Sequence, residues 1–181
     1  MPLTIKTRIL NDDLQGERYF HPKPTLLPGN VIAMSLQLIN GSDFFGPVKI
    51  TYSKNLGESW SKPQCIPALG WDKIDCGMNE AVCDVVPDYH EKSGKLLAIG
   101  HNAFYTDTDF VDTLGSFNKE EKDPDLHRVS VYSFRDRNGN WSERKKIYFE
   151  EFKNSICFVC GCSQKITLPD GKMIIPSVIG E

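Results

Sequence analysis

Apolar residues come in short runs along this chain, and none of the runs carries a helical period. Segments rich in Val, Ile, Leu and Tyr fall at 23–27, 31–39, 48–53, 82–86, 95–100, 128–134, 145–149, 164–168 and 172–176, each bounded by Gly, Pro, Asn or Asp. Nowhere do apolar residues recur at i, i+3, i+4 and i+7 over three turns. Short runs of β-branched and aromatic residues between turn formers predict strands, so the chain reads as all-β.

One unit repeats. Leu27-Pro-Gly29-Asn-Val-Ile-Ala-Met, Lys92-Ser-Gly94-Lys-Leu-Leu-Ala-Ile and Pro169-Asp-Gly171-Lys-Met-Ile-Ile-Pro each place a tight glycine turn before an apolar strand. Each glycine can supply the positive φ of a two-residue hairpin. After the first two copies come a third strand, a polar turn ending in Trp60 or Trp141, and a fourth strand. Four antiparallel strands, repeated, are the pattern of a β-propeller blade.

The turn before Trp60, Ser53-Lys-Asn55-Leu-Gly57-Glu-Ser-Trp60, resembles the Asp-box (BNR repeat) of the sialidase (neuraminidase) superfamily, with Asn55 in the Asp place. A looser copy, Ser133-Phe-Arg-Asp136-Arg-Asn-Gly139-Asn-Trp141, ends the second unit. The resemblance implies a structural lock: a polar side chain bonds the turn, glycine takes the strained dihedral and Trp packs beneath the next strand. It also implies a six-bladed propeller. The 181 residues would supply one incomplete domain of about two and a half blades: 17–70, 79–150 with an insertion at 106–127, and the start of a third from 158. An unclosed array of this kind leaves apolar surface and strand edges uncovered.

Composition narrows the function classes. A net charge of −3, from 21 basic and 24 acidic side chains, excludes a polyanion-binding composition, so neither nucleic acid nor a membrane is expected as a partner. No run is long and apolar enough for a membrane span, and the first residues lack the apolar core of a secretory leader, which predicts a soluble, cytoplasmic chain. Six cysteines in such a chain are expected to be reduced and packed as small apolar groups. Cys157-Phe-Val-Cys160 has the C-x-x-C spacing but no second ligand pair, so no metal or cofactor is expected.

By resemblance, ligands bind at the axial mouth, where inner strands begin and the second-to-third-strand loops lie. In the first unit this selects His21, Lys23 and Asp43. Asp43 corresponds in place to the acid/base aspartate of sialidases; flanked by Phe44 and Phe45, it would protonate a leaving glycosidic oxygen, or else it is only an Asx turn. His21 reads either as a general base or acid or as a cap on its strand, and Lys23 as a cation for an anionic sugar or as a solvated lysine. The second unit offers Glu80, His101 and Asn102, followed by the acidic insertion as a rim, and the third offers Gln164, all as substrate contacts. Asp88-Tyr89-His90 lies at the opposite end and is assigned to structure.

The family's substrate-gripping arginine precedes a proline near the start of the first blade, whereas here Phe20 and His21 precede Pro22. That departure favours a relative acting on another acidic or neutral sugar, or eliminating across a uronic acid with His21 as base. A carbohydrate-active hydrolase is therefore the leading expectation, with a non-catalytic glycan-binding propeller and a protein-interaction scaffold beside it. The family's tyrosine nucleophile and further arginines would lie beyond Glu181.

Overall fold

The computed structural model describes residues 4–7, 17–39, 44–74, 77–111, 127–152, 157–160 and 165–180. Among them there is no α-helix, and the strand pairings are antiparallel apart from one. A first sheet holds β1 (Tyr19–Leu27), β2 (Val31–Ile39), β3 (Phe45–Ser53) and β4 (Gln64–Cys65) in sequential order. A second sheet is built on β5 (Asp72–Lys73), β6 (Asn79–His90), β7 (Lys95–Tyr105), β8 (Phe110–Val111), β9 (Arg128–Arg135) and β10 (Lys145–Lys146). It is extended by β11 (Cys157–Val159), which runs parallel to β9 and pairs with β14 (Val178–Gly180). A hairpin of β12 (Ile166–Thr167) and β13 (Met173–Ile174) stands beside it. Strands β6 and β7 run beyond the predicted segments, because a strand continues through Asn79-Glu80 and His101-Asn102 once a neighbour satisfies its backbone.

The two sheets bury one shared core. Ala33, Val48 and Ile50 of the first, with Ile66 and Leu69 of the connection after β4, pack against Val82, Val85, Ala98 and Val131 of the second, all at most 3% exposed. Polar side chains of β2 stitch the seam. Ser35 Oγ donates to the Val85 carbonyl at 2.7 Å, and Gln37 Nε2 donates to the Val82 carbonyl at 2.9 Å. Val85 lies within the bulge in β6, whose register shifts between Cys83 and Val86, and Val82 just before it, so these bonds fasten the bulge to the first sheet.

All three predicted turn glycines have positive φ: 75° at Gly29, 67° at Gly94 and 87° at Gly171. The connections are longer than the expected two residues, since Leu27 pairs with Val31 and His90 with Lys95. Pro28 and Asn30, the latter also at positive φ, are absorbed into the first turn.

The turns before the two tryptophans share a hydrogen-bond pattern. Ser53 Oγ accepts from Gly57 N at 2.8 Å, and Asn55 Oδ1 accepts from Ser59 N at 2.9 Å. In the second turn Asp136 Oδ1 accepts from Asn138 N and Asn140 N at 2.9 and 2.8 Å. These backbone donors hold the Asp136 carboxyl below its usual range. Gly57 and Gly139 both sit at φ 93°. Just outside, Ser61 Oγ accepts from Tyr52 N at 3.0 Å and Ser142 Oγ from Phe134 N at 3.1 Å. Ser133 bonds Ser142 as Thr51 bonds Ser61, so Ser133 takes the place of Thr51 and not that of Ser53. Trp60 packs against Met34 and Leu36, and Trp141 against the shared core.

Candidate functional site

Two strained residues face each other where β1 meets β6. The β1 register shifts between Phe20 and Lys23, and within that bulge His21 takes a left-handed backbone of φ 50°. In the β6 bulge Asp84 does the same at φ 56°. A non-glycine residue in this region costs on the order of 1–3 kcal/mol, and such strain persists where surrounding structure over-determines it. The consequence here is a contact: His21 Nδ1 lies 2.6 Å from Asp84 Oδ1, although off the line of a well-formed hydrogen bond. Both side chains retain solvent access, 27% for His21 and 22% for Asp84. The imidazole leans on Phe20 and Phe45, with ring centroids 4.1 and 5.3 Å away. Phe20 itself is 42% exposed.

Beneath this pair lie two buried groups. Cys83 is the register partner of His101, and its Sγ stands 3.2 Å from His101 Nε2. Burial pushes the His101 imidazole down to about 4; the Arg128 charge acts in the same direction and the Asp84 carboxylate opposes it. His101 is therefore neutral at physiological pH. Gly100 makes the approach of the two strands possible, since a Cβ at that position would lie 2.3 Å from the Cys83 carbonyl oxygen. On the far side, Cys160 Sγ donates to the Gly100 carbonyl at 3.0 Å, and burial raises its thiol.

Glu80 and Asn102 form a separate internal network. Glu80, 4% exposed, accepts from Asn102 Nδ2 at 2.7 Å and meets Lys146 Nζ at 2.6 Å and Arg144 Nη1 at 3.4 Å. Arg144 also donates to the Ala68 and Gly70 carbonyls and pairs with Asp72, tying the loop between the sheets to the start of β6. Asn102 bonds the His127 carbonyl and accepts from Val129 N at 2.7 Å. A buried carboxylate held by two cations is costly to break, since removing either leaves charge uncompensated.

The sequence-selected residues thus divide. His21 and His101 enter one cluster, Glu80 and Asn102 the neighbouring network, while Asp43 and Gln164 lie outside the described residues. Lys23 follows the β1 bulge half-buried, and its carbonyl faces Ser35 Oγ at 3.5 Å. His90 bonds Ser93 Oγ at 2.7 Å and the Gly171 carbonyl at 2.8 Å, joining two hairpins. Of the insertion, Thr106 to Asp109 turn back so that β8 pairs with β7, and 112–126 lie outside the described residues. Two clefts of about 760 and 740 Å³ open at the turns, one lined by Trp60, Tyr52 and Arg135 and the other by Asp88, Lys92 and Lys165. Neither includes His21 or Asp84, and the titratable groups converge at the β1–β6 contact. Sequence reasoning missed Cys83 and Asp84 as site residues. The available signal was Asp84 itself, the lone charge within Ala81-Val-Cys-Asp-Val-Val-Pro87.

No family model matches the chain, and no curated protein matches it. Among solved structures it is similar to a protein described as Hadza microbial sialidase Hz136, with a TM-score of 0.67 and 17% sequence identity. The match covers 95% of this chain and 34% of the sialidase chain, so these residues span about a third of that protein's length. The likeness, together with the two stitched antiparallel sheets, shows a sialidase-like fold.

Proposed function

We propose that the protein is a carbohydrate-active hydrolase of the sialidase-like class that cleaves a terminal glycosidic bond by general acid/base catalysis. In this reading the 181 residues form about two and a half blades of a six-bladed propeller, with the two tryptophan turns as its Asp-boxes. The observation that carries the chemistry is the His21–Asp84 pair. A carboxylate beside Nδ1 orients the imidazole, leaving Nε2 as the atom that exchanges a proton with substrate or water. Asp43, two positions before β3 in the sequence, is the proton donor to the leaving oxygen. Exposed Phe20 offers an apolar wall to a sugar ring, and Lys23 and Gln164 offer polar contacts. Glu80, His101 and Asn102 serve from behind, holding the start of β6 against the later part of β7.

The internal satisfaction of Glu80 and Asn102 favours a second reading, a glycan-binding propeller without turnover. Assays of the full-length protein on paired nitrophenyl and unactivated glycosides, including sialosides and uronides, separate the two. Asp43→Asn is expected to lower kcat on an unactivated glycoside by about 10²–10⁴ and much less on a nitrophenyl one. His21→Ala is expected to slow both. Saturable sugar binding without turnover of any glycoside would replace the hydrolase by the binding module.

A further inference from the structure

A thiol, a carboxylate and two imidazoles are gathered at the β1–β6 contact, and the backbone geometry that gathers them is unusual. Successive residues of a strand point to opposite faces, so Cys83 and Asp84 would ordinarily diverge. The bulge and the left-handed Asp84 turn both toward one point, where His101 also arrives from β7. One ligand atom from each of Cys83, Asp84 and His101 lies within 4.8 Å of the other two. Adjacent ligands of a tetrahedral zinc ion stand about 3.5 Å apart, given bonds of about 2.0–2.3 Å. The Cys83–His101 separation of 3.2 Å is close to that figure.

A second observation points to a ligand at this place. Among the described residues, five buried side-chain nitrogen or oxygen atoms lack a well-formed hydrogen bond, and three of them are His21 Nδ1, Asp84 Oδ1 and His101 Nδ1. Buried polar atoms are nearly always satisfied, whereas His21 Nδ1 and Asp84 Oδ1 have only each other, 2.6 Å apart and poorly aligned, so this cluster keeps acceptor capacity that a cation would take up.

We propose that Cys83, Asp84 and His101 form a binding site for a zinc-class divalent cation, with three protein ligands and a fourth position open toward His21. The donor set selects the metal: thiolate and imidazole suit zinc and disfavour magnesium or calcium. Charge closes as well, since a dication, one thiolate and one carboxylate sum to zero in a place where Cys83 and His101 are 4% and 6% exposed. On binding, the Cys83 S–H bond gives way to an S–metal bond and its proton leaves to solvent. His101 would contribute the lone pair of a ring nitrogen. Asp84 would bridge, one oxygen toward His21 and the other on the metal, an outer contact of the kind that orients a ligand. The site shares Asp84 with the His21 pair, but metal binding can be measured without any glycoside.

Cobalt titration of the chelator-treated protein tests the site. One equivalent should produce a thiolate-to-cobalt charge-transfer band with intense tetrahedral d–d absorption, and zinc should displace it. Cys83→Ser should abolish the band and weaken zinc binding at least tenfold, while Cys65→Ser, which alters an exposed cysteine, should retain both. His101→Gln, checked for folding by circular dichroism, should weaken zinc binding to a similar extent. Absence of a band at one equivalent, or a band that survives both Cys83→Ser and His101→Gln, would overturn the assignment, whichever way the glycoside assays fall.

Discussion

His21 and Asp84 meet at 2.6 Å, and each reaches the other from a left-handed backbone inside a bulge on its own strand. The two residues are 63 positions apart, and their strands belong to different sheets. Neither conformation is a local preference of histidine or aspartate. Each is held by the seam: Ser35 takes the Val85 carbonyl next to Asp84 and Gln37 the Val82 carbonyl two residues before it, and Phe45 packs on the His21 ring.

Strain at Asp84 gives the first prediction. Asp84→Gly should leave stability unchanged or raise it by about 1 kcal/mol, because glycine adopts positive φ without penalty. Asp84→Val should destabilise by about 2 kcal/mol or more, since a β-branched residue is poorly accommodated there. Urea midpoints of the two variants check this, and a lower midpoint for Asp84→Gly than for Asp84→Val would show that strain at this position is negligible.

Gly100 is required by space and not by its dihedral. A Cβ would sit 2.3 Å from the Cys83 carbonyl oxygen and 2.9 Å from a Val85 methyl, so β6 must retreat or its bulge must shift. Gly100→Ala should cost about 2–4 kcal/mol, at the upper end of ordinary core substitutions. Thermal unfolding measures the loss, and the same variant should weaken any contact made through Asp84.

Asn55 spans its turn by accepting from Ser59 N and donating to Ser59 Oγ, both at 2.9 Å. Asn55→Ala should cost about 1 kcal/mol, the usual worth of such bonds in a partly exposed turn. Asn55→Asp should keep most of that stability, since a carboxylate accepts the same backbone donor, as Asp136 does in the second turn. Denaturant curves at neutral pH distinguish the three proteins.

Lys165 supplies a pH dependence. Its ammonium donates to the Val86 carbonyl at 2.9 Å, yet burial lowers it from 10.5 to about 8, with Asp88 opposing. Below pH 8 the lysine is charged in both folded and unfolded chains, and the folded state bears the full desolvation cost. Between pH 8 and 10.5 the unfolded chain binds more protons than the folded one, so this contribution to stability rises with pH. Lys165→Met should therefore be more stable than the parent by about 1 kcal/mol at pH 7, a figure reduced for the solvent the ammonium keeps. The advantage should shrink as pH rises from 8 to 10.5, and a difference constant over that range would refute the assignment.

Much of the fold was legible along the chain, because its causes are local. Runs of β-branched and aromatic residues, glycines that take positive φ, and a short polar side chain two or three places before a glycine act within a few residues, and they yielded the strands, the hairpins and the two repeated turns. The equivalence of Ser133 with Thr51 needed the hydrogen bonds, because one inserted residue hides it in the sequence. The centre at the β1–β6 contact was decided by tertiary structure. In Val82-Cys-Asp-Val-Val86 the period of two assigns Cys83 and Asp84 to opposite faces, and only a bulge stabilised by bonds from another sheet reverses one of them. Likewise Glu80 and Asn102 read as open polar contacts until Arg144, Lys146 and Val129, 27 to 66 positions away, were brought against them. Burial and strain are sums over such distant neighbours, and the local pattern carries neither.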